Sequence, residues 1–212
     1  MLAPSQGARL HSYVVRYDSG FAPNPFYQFC TLATCKPDIR KNAAKGDWVM
    51  GSGSANKELK RGGFLVYSMR VTETLTHGEY WADPRFEKKK PNLTRSRMQQ
   101  CGDNIYRKTT AGDWKQLDSF HSQQNGSPNP RHIRRDTSID RILVSDVFVY
   151  FGGEGPKIPS RFRNYHGEDI CKAGQGRKIF DDPGLIQAFS AWIESLGSEG
   201  YAGRPLDWVL SP

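Results

Sequence analysis

An α+β protein is what this sequence predicts: a small mixed, barrel-like sheet with a few short covering helices and a long basic insertion. Three observations lead there. Short β-branched and aromatic runs are divided by turns rich in Gly, Pro and Asn. Runs with helical spacing are few and do not alternate with strands as in a doubly wound fold. Between residues 85 and 141 both patterns weaken while basic residues accumulate. The 212 residues are read as one domain, 1–212, long enough to bury a sizeable core.

In order, "SYVVRY" (Ser12 to Tyr17) is β-branched and aromatic, a strand. "DSGFAPNPFYQFCTLATC" is a structured loop whose rings, Phe21, Phe26, Tyr27 and Phe29, cover or line something. "KPDIRKNAAKG" reads as a short helix, with Pro37 in its first turn, Asp38 near its positive end and Gly46 stopping it. Trp48 to Met50 is a strand that gives way to Gly51, Ser52, Gly53 and Ser54. Phe64 to Thr74 alternates as a single strand. "HGEYWADPRF" begins with a helical turn that Pro84 ends. Arg141 to Gly153, "RILVSDVFVYFGG", is the strongest strand and is placed centrally. Asp182-Pro183 opens a helix with Leu185, Ile186, Phe189, Trp192, Ile193 and Leu196 on one face, and Gly197 closes it.

Thirty basic against twenty-two acidic side chains give a net charge of +8, which favours polyanionic partners. No run is long and apolar enough to span a bilayer. The opening lacks the basic-then-apolar order of a signal peptide, so a cytoplasmic protein with reduced thiols is expected. The spacing of Cys30, Cys35, Cys101 and Cys171 does not match a zinc site, and no metal or cofactor is expected. None of the familiar hydrolase, phosphate-loop or metalloprotease motifs is present. Catalytic candidates are therefore single residues: Cys30 and Cys35 flanking the start of a helix, Asp83, and His166 in "HGED". Two buried structural thiols and a solvated loop are the plainer readings of the cysteines and of His166.

"KGDWVMGSGS…GGFLVYSMRVTETLTHGEYWADPRF" resembles the EVE and related PUA-like domains: a Gly46-Asp47 turn, a strand ending in small residues, a Val66 to Val71 strand, and a Tyr80 to Pro84 element. More narrowly, "GFAPNPF", "CTLATCKP" and "GDWVMGSGS" together resemble the second nucleotide modification associated domain family, over about residues 12 to 90. Members occur in bacteria and phages and are linked to modified DNA bases, so the cytoplasm would be that of a bacterium or of a phage's host. The resemblance implies a pseudo-barrel with a pocket for a modified or flipped base. The residues assigned to that pocket are Asn24, Phe26, Phe29, Trp48, Gly51, Ser52, Gly53, Ser54, Tyr80, Trp81 and Asp83. Phosphates would be held by Lys88, Lys89, Lys90, Arg95, Arg97, Arg131, Arg134 and Arg135. The first reading is thus a non-catalytic nucleic-acid-binding module, for DNA before RNA. The alternative is an enzyme of nucleotide or base modification using the same pocket.

Overall fold

The computed structural model describes residues 7–55, 60–172 and 174–210. The first half of the chain forms β1 (Leu10–Val15), β2 (Cys30–Leu32), α1 (Pro37–Asn42), β3 (Trp48–Gly53), β4 (Leu65–Arg70), β5 (Glu73–Leu75), α2 (His77–Ala82) and α3 (Arg97–Gln100). A hairpin of β6 (Tyr106–Lys108) and β7 (Trp114–Gln116) follows, then α4 (Pro130–Asp136). The chain ends with β8 (Ile142–Ser145), β9 (Val147–Tyr150), α5 (Ser160–Arg163), β10 (Arg177–Phe180), α6 (Pro183–Ser195), β11 (Gly200–Tyr201) and α7 (Leu206–Leu210). No helix among the described residues is long and apolar enough to cross a membrane.

Six strands form one mixed sheet in the order β10-β1-β3-β4-β9-β11, in which β1 runs parallel to β3 and β9 parallel to β11. β2, β8 and β5 form a second, antiparallel sheet. The two runs expected as single strands each bend from one sheet into the other. β4 pairs with β9 in the first sheet and β5 with β8 in the second, and the breaks fall at Val71–Thr72 and at Asp146. Ser145 fixes this corner: its Oγ lies 2.6 Å from Arg70 O and accepts the Val147 N–H at 3.1 Å.

The strands do not close into the expected barrel. β10 and β11 stand at opposite edges of the six-stranded sheet, and the second sheet packs over one face instead of joining its rim. That face buries Tyr13, Val49, Tyr67 and Met69 against Cys30, Leu32, Ile39 and Leu143. The opposite face buries Trp48, Met50 and Leu65 under α6, through Leu185, Ile186, Phe189 and Trp192. Pleating sends Trp48 and Met50 one way and Val49 the other. Asp182 caps α6 by accepting the Leu185 N–H at 2.7 Å, and the apolar stripe does the rest.

β3 does not dissolve at Met50; it continues through Gly53, with Gly51, Ser52 and Gly53 all buried. A Cβ on Gly51 would lie 2.5 Å from Val15 Cγ2 and 2.6 Å from Tyr67 Cε1. A Cβ on Gly53 would lie 2.5 Å from Arg61 O. These small residues admit the Tyr67 ring and a neighbouring backbone.

The stretch from 85 to 141 folds back against the N-terminal loop. Its Ile105 and Tyr106 pack with Phe21, and Trp114, Leu117 and Ile133 close that small core. It therefore reaches the turn between β2 and α1.

Candidate active site

That turn has an unusual backbone. Cys35 has φ 57° and Lys36 φ 41°, two consecutive non-glycine residues in the left-handed region. Such conformations persist only where surrounding structure holds them, and they concentrate at functional sites. Here both peptide groups of Cys35 are clamped. Its N–H donates to Asp136 Oδ1 at 3.0 Å, and its carbonyl accepts from Arg40 Nε at 2.9 Å. Arg40, fully buried, also donates to the carbonyls of Ile139 and Arg141, tying α1 to the segment after α4.

The Cys35 sulfur, partly exposed, lies 3.5 Å from His121 Nε2. His121 Nδ1 donates to Asp136 Oδ2 at 2.6 Å. Asp136, fully buried at the end of α4, accepts in addition from Tyr106 Oη and from Arg135 Nε, each at 2.9 Å. Arg135 Nη2 reaches 3.7 Å from the sulfur and 3.4 Å from His121 Nε2. The imidazole is packed edge-on against Phe21 at 4.6 Å and His132 at 4.3 Å between ring centres. His132 Nδ1 donates to His121 O at 3.0 Å, fixing its own ring in turn.

Burial works to lower the pKa of His121 and to raise that of Asp136. Their mutual hydrogen bond and charges outweigh burial in both, helped by Cys35 on one side and Arg135 on the other. His121 is brought up to about 9, and Asp136 is held well below the usual carboxylate range. A thiol, an imidazole within reach of it and a buried carboxylate on the far ring nitrogen are the geometry of an activated nucleophile: attacking group, proton acceptor and orienting group. The same side chains bring one donor atom each within 4.8 Å, a set that a soft divalent cation could take. The Arg135 guanidinium beside the sulfur and the four donors already on Asp136 work against a cation there.

Of the residues singled out in the sequence, Cys35 and Arg135 come together in this site, and Arg131 and Arg134 are exposed on the same helix. The others lie elsewhere. Cys30 is fully buried between the sheets, where burial pushes its thiol up. Asp83 is paired with Arg85 at 2.6 Å, and His166 is exposed on a turn beside Tyr165.

The expected base pocket does not assemble. Trp48 is core, edge-on to Phe189, and Ser52 is buried beneath Tyr13 O. Ser54 lies just past the end of β3, half-buried. Asn24 is fully buried, donating to Cys101 O at 2.8 Å and accepting from Lys89 Nζ at 2.6 Å. Phe26 is covered by the stacked Trp208 ring, 5.5 Å between centres, and Phe29 packs on Phe86. Tyr80 is buried, its hydroxyl donating to Asp103. Trp81 is half-exposed, with Lys90 Nζ 4.3 Å and Arg107 Cζ 5.5 Å from its ring.

Among the expected phosphate ligands, Lys89 is turned inward. Its ammonium bonds Asn24 O, Asn24 Oδ1, Phe29 O and Thr31 Oγ1, so it is a buried tether of the Asn24–Thr31 loop. Lys88, Arg95 and Arg97 are exposed, and Lys90 pairs with Glu87 at 2.5 Å. Sequence reasoning missed His121 and Asp136. Neither lies in a motif, and Asp136 closes a run, "RHIRRD", whose charge reads as a wet basic surface.

No curated protein and no solved structure matches the chain. The family model for nucleotide modification associated domain 2 matches residues 7–212, and the chain belongs to that family.

Proposed function

We propose that this protein is a thiol-dependent enzyme of a nucleotide modification system, with Cys35 as nucleophile, His121 as proton carrier and Asp136 as the group that orients His121. The observation carrying this reading is the convergence of Cys35 with partners 86 and 101 positions away, at hydrogen-bonding distances and on a strained, clamped turn. Family membership supplies the context of nucleotide modification.

In the reaction this arrangement serves, the proton shared between the Cys35 sulfur and His121 Nε2 rests on the imidazole, as its raised pKa favours, and the sulfur attacks an electrophilic carbon bearing a doubly bonded oxygen or nitrogen. The π electron pair moves to that heteroatom. As it returns, the imidazolium gives its proton to the departing group, leaving a covalent thioester-type intermediate. Water or an acceptor hydroxyl or amine, deprotonated by the same imidazole, then displaces the sulfur as thiolate, and the proton stays on the imidazole. Asp136 stays ionised and steadies the imidazolium throughout.

Recognition of a modified or flipped base in DNA is the second reading. It is favoured by the half-exposed Trp81 with Lys90 and Arg107 over its ring. In line with it we keep the PUA-like relationship of the Gly46–Pro84 stretch. The Asp47 carboxylate accepts from the backbone N–H of Arg9 and of Ala44, which gives the Gly-Asp turn a structural purpose in such a fold.

The enzymatic reading is tested by incubating the protein with the four deoxynucleoside triphosphates, with single-stranded DNA and with glutamine as an acyl-type donor. Intact-protein and digested-nucleoside masses are the readout. A mass gain on the Cys35 peptide or a mass-shifted nucleoside, absent in Cys35→Ala, supports it. Identical masses for the two proteins across all mixtures count against it.

A further inference from the structure

The charges around Cys35 do not balance. Arg40, His121 and Arg135 gather about one carboxylate, Asp136, and one thiol, and Lys36, next in the chain to Cys35, adds a fourth cationic side chain whose charge is felt by Cys35 and Arg135. Even with the thiol ionised, the site keeps an excess of positive charge in a partly buried place, where it is costly unless an anion arrives. Burial lowers the pKa of both Lys36 and Arg40, and the nearby Arg135 guanidinium adds to the lowering on each. Lys36 is half-buried with its ammonium 4.5 Å from the centre of the Tyr13 ring, and Arg135 is open to solvent on its outer edge. Arg131, one turn earlier on the same face of α4, is exposed.

Beside these cations stands an aromatic ring that folding does not account for. Phe120 is 53% exposed, directly before His121. It is not an isolated surface residue. Its ring centre is 5.8 Å from Phe21, which lies 4.6 Å from the His121 ring, so a line of aromatics runs from solvent to the proton carrier.

We propose that Lys36 and Arg135 form an oxyanion seat beside Cys35, that it takes the phosphate of a nucleotide, and that Phe120 is the platform on which the nucleotide's base stacks. The proposal rests on the thiol-enzyme reading for its purpose, though binding at the seat needs no chemistry at the sulfur. The shared ligand chemistry is a phosphate next to a flat base, carried either by a free nucleotide or by a single strand.

The test uses the full chain carrying Cys35→Ser, which cannot turn over, and measures by calorimetry the binding of each deoxynucleoside 5′-monophosphate, of the corresponding nucleosides, and of a short single-stranded oligonucleotide. At least one monophosphate is expected to bind about tenfold or more tightly than its nucleoside, as a charge-assisted contact requires. Lys36→Gln should remove that difference. Phe120→Ala, at an exposed position, should weaken monophosphate and nucleoside alike by roughly 5- to 100-fold. Tighter, salt-dependent oligonucleotide binding would make the source a polymer, and equal affinity a free nucleotide; either supports the seat. Equal binding of nucleosides and monophosphates, no binding of any probe, or phosphate preference surviving in Lys36→Gln would overturn it. Failure of Cys35 to act as a nucleophile would show separately, as normal binding here with no Cys35-dependent mass change in the wild type.

Discussion

Asp136→Asn is the substitution that separates a working Cys–His–Asp arrangement from an accident of packing. The carboxylate is fully buried and accepts four hydrogen bonds, from the Cys35 N–H, Arg135 Nε, Tyr106 Oη and His121 Nδ1. An amide of the same shape replaces one accepting oxygen by a donor facing donors, and leaves Arg135 and His121 without their counter-charge. Breaking one partner out of a buried ionic network costs about 3–5 kcal/mol. The histidine points the same way. Its pKa of about 9, against an ordinary value near 6.5, corresponds to roughly 3 kcal/mol at about 1.4 kcal/mol per unit, supplied by Asp136 together with Cys35.

Urea unfolding at pH 7 should therefore show the variant weaker by about 3–5 kcal/mol. With burial left opposed mainly by Cys35, His121 should titrate in NMR near or below 6.5. The pH dependence follows from the direction of the shift. Because folding raises the His121 pKa, its contribution is fully present below about 6.5 and is lost as pH rises through about 9. Wild type should therefore lose stability across that window and the variant should not. A stability change under about 1 kcal/mol, with His121 still titrating near 9, would refute the reasoning.

Lys89→Ala removes a buried donor shared by four acceptors, leaves Phe29 O without it and takes away the cation that offsets the buried Asp103 charge, so thermal or urea denaturation should show a loss of about 3 kcal/mol or more, whereas Lys88→Ala should stay within about 0.5. Trp48→Ala should cost about 3–5 kcal/mol by opening a cavity under α6, the mark of a core residue and not of a binding rim. Gly51→Ala presses a methyl into Val15 and Tyr67 and should cost about 1–3 kcal/mol in the same assay.

Where the signal was local, the sequence was readable. α6 begins at its Asp182-Pro183 pair and ends just before Gly197 because the cap, the first-turn proline and the apolar stripe all act within the segment. α2 is likewise opened by its own capping box of Thr76 and Glu79. The long apolar runs could not reveal that they change sheet at Val71–Thr72 and Asp146, since the partner strand that bends with them is about seventy positions away. The "APNPF" loop looked like an open aromatic lining because the ring that covers Phe26, Trp208, comes from the far end of the chain. The same distance hid the site. Cys35 was visible as a candidate beside a helix start, but His121 and Asp136 acquire meaning only when the stretch after residue 85 folds back onto that turn.

The thiol itself offers the most direct measurement: a brief pulse of iodoacetamide at pH 7, quenched and read by peptide mass spectrometry. Cys30 is fully buried, and burial pushes the thiols of Cys101 and Cys171 up to about 12 and about 11. Cys35 is partly exposed with His121 and Arg135 at its sulfur. Alkylation at Cys35 should outpace the other three by roughly tenfold or more, and His121→Asn should slow it by a similar factor. Uniform labelling of the four cysteines, or a Cys35 rate indifferent to the loss of His121, would contradict the assignment of a nucleophile and its base.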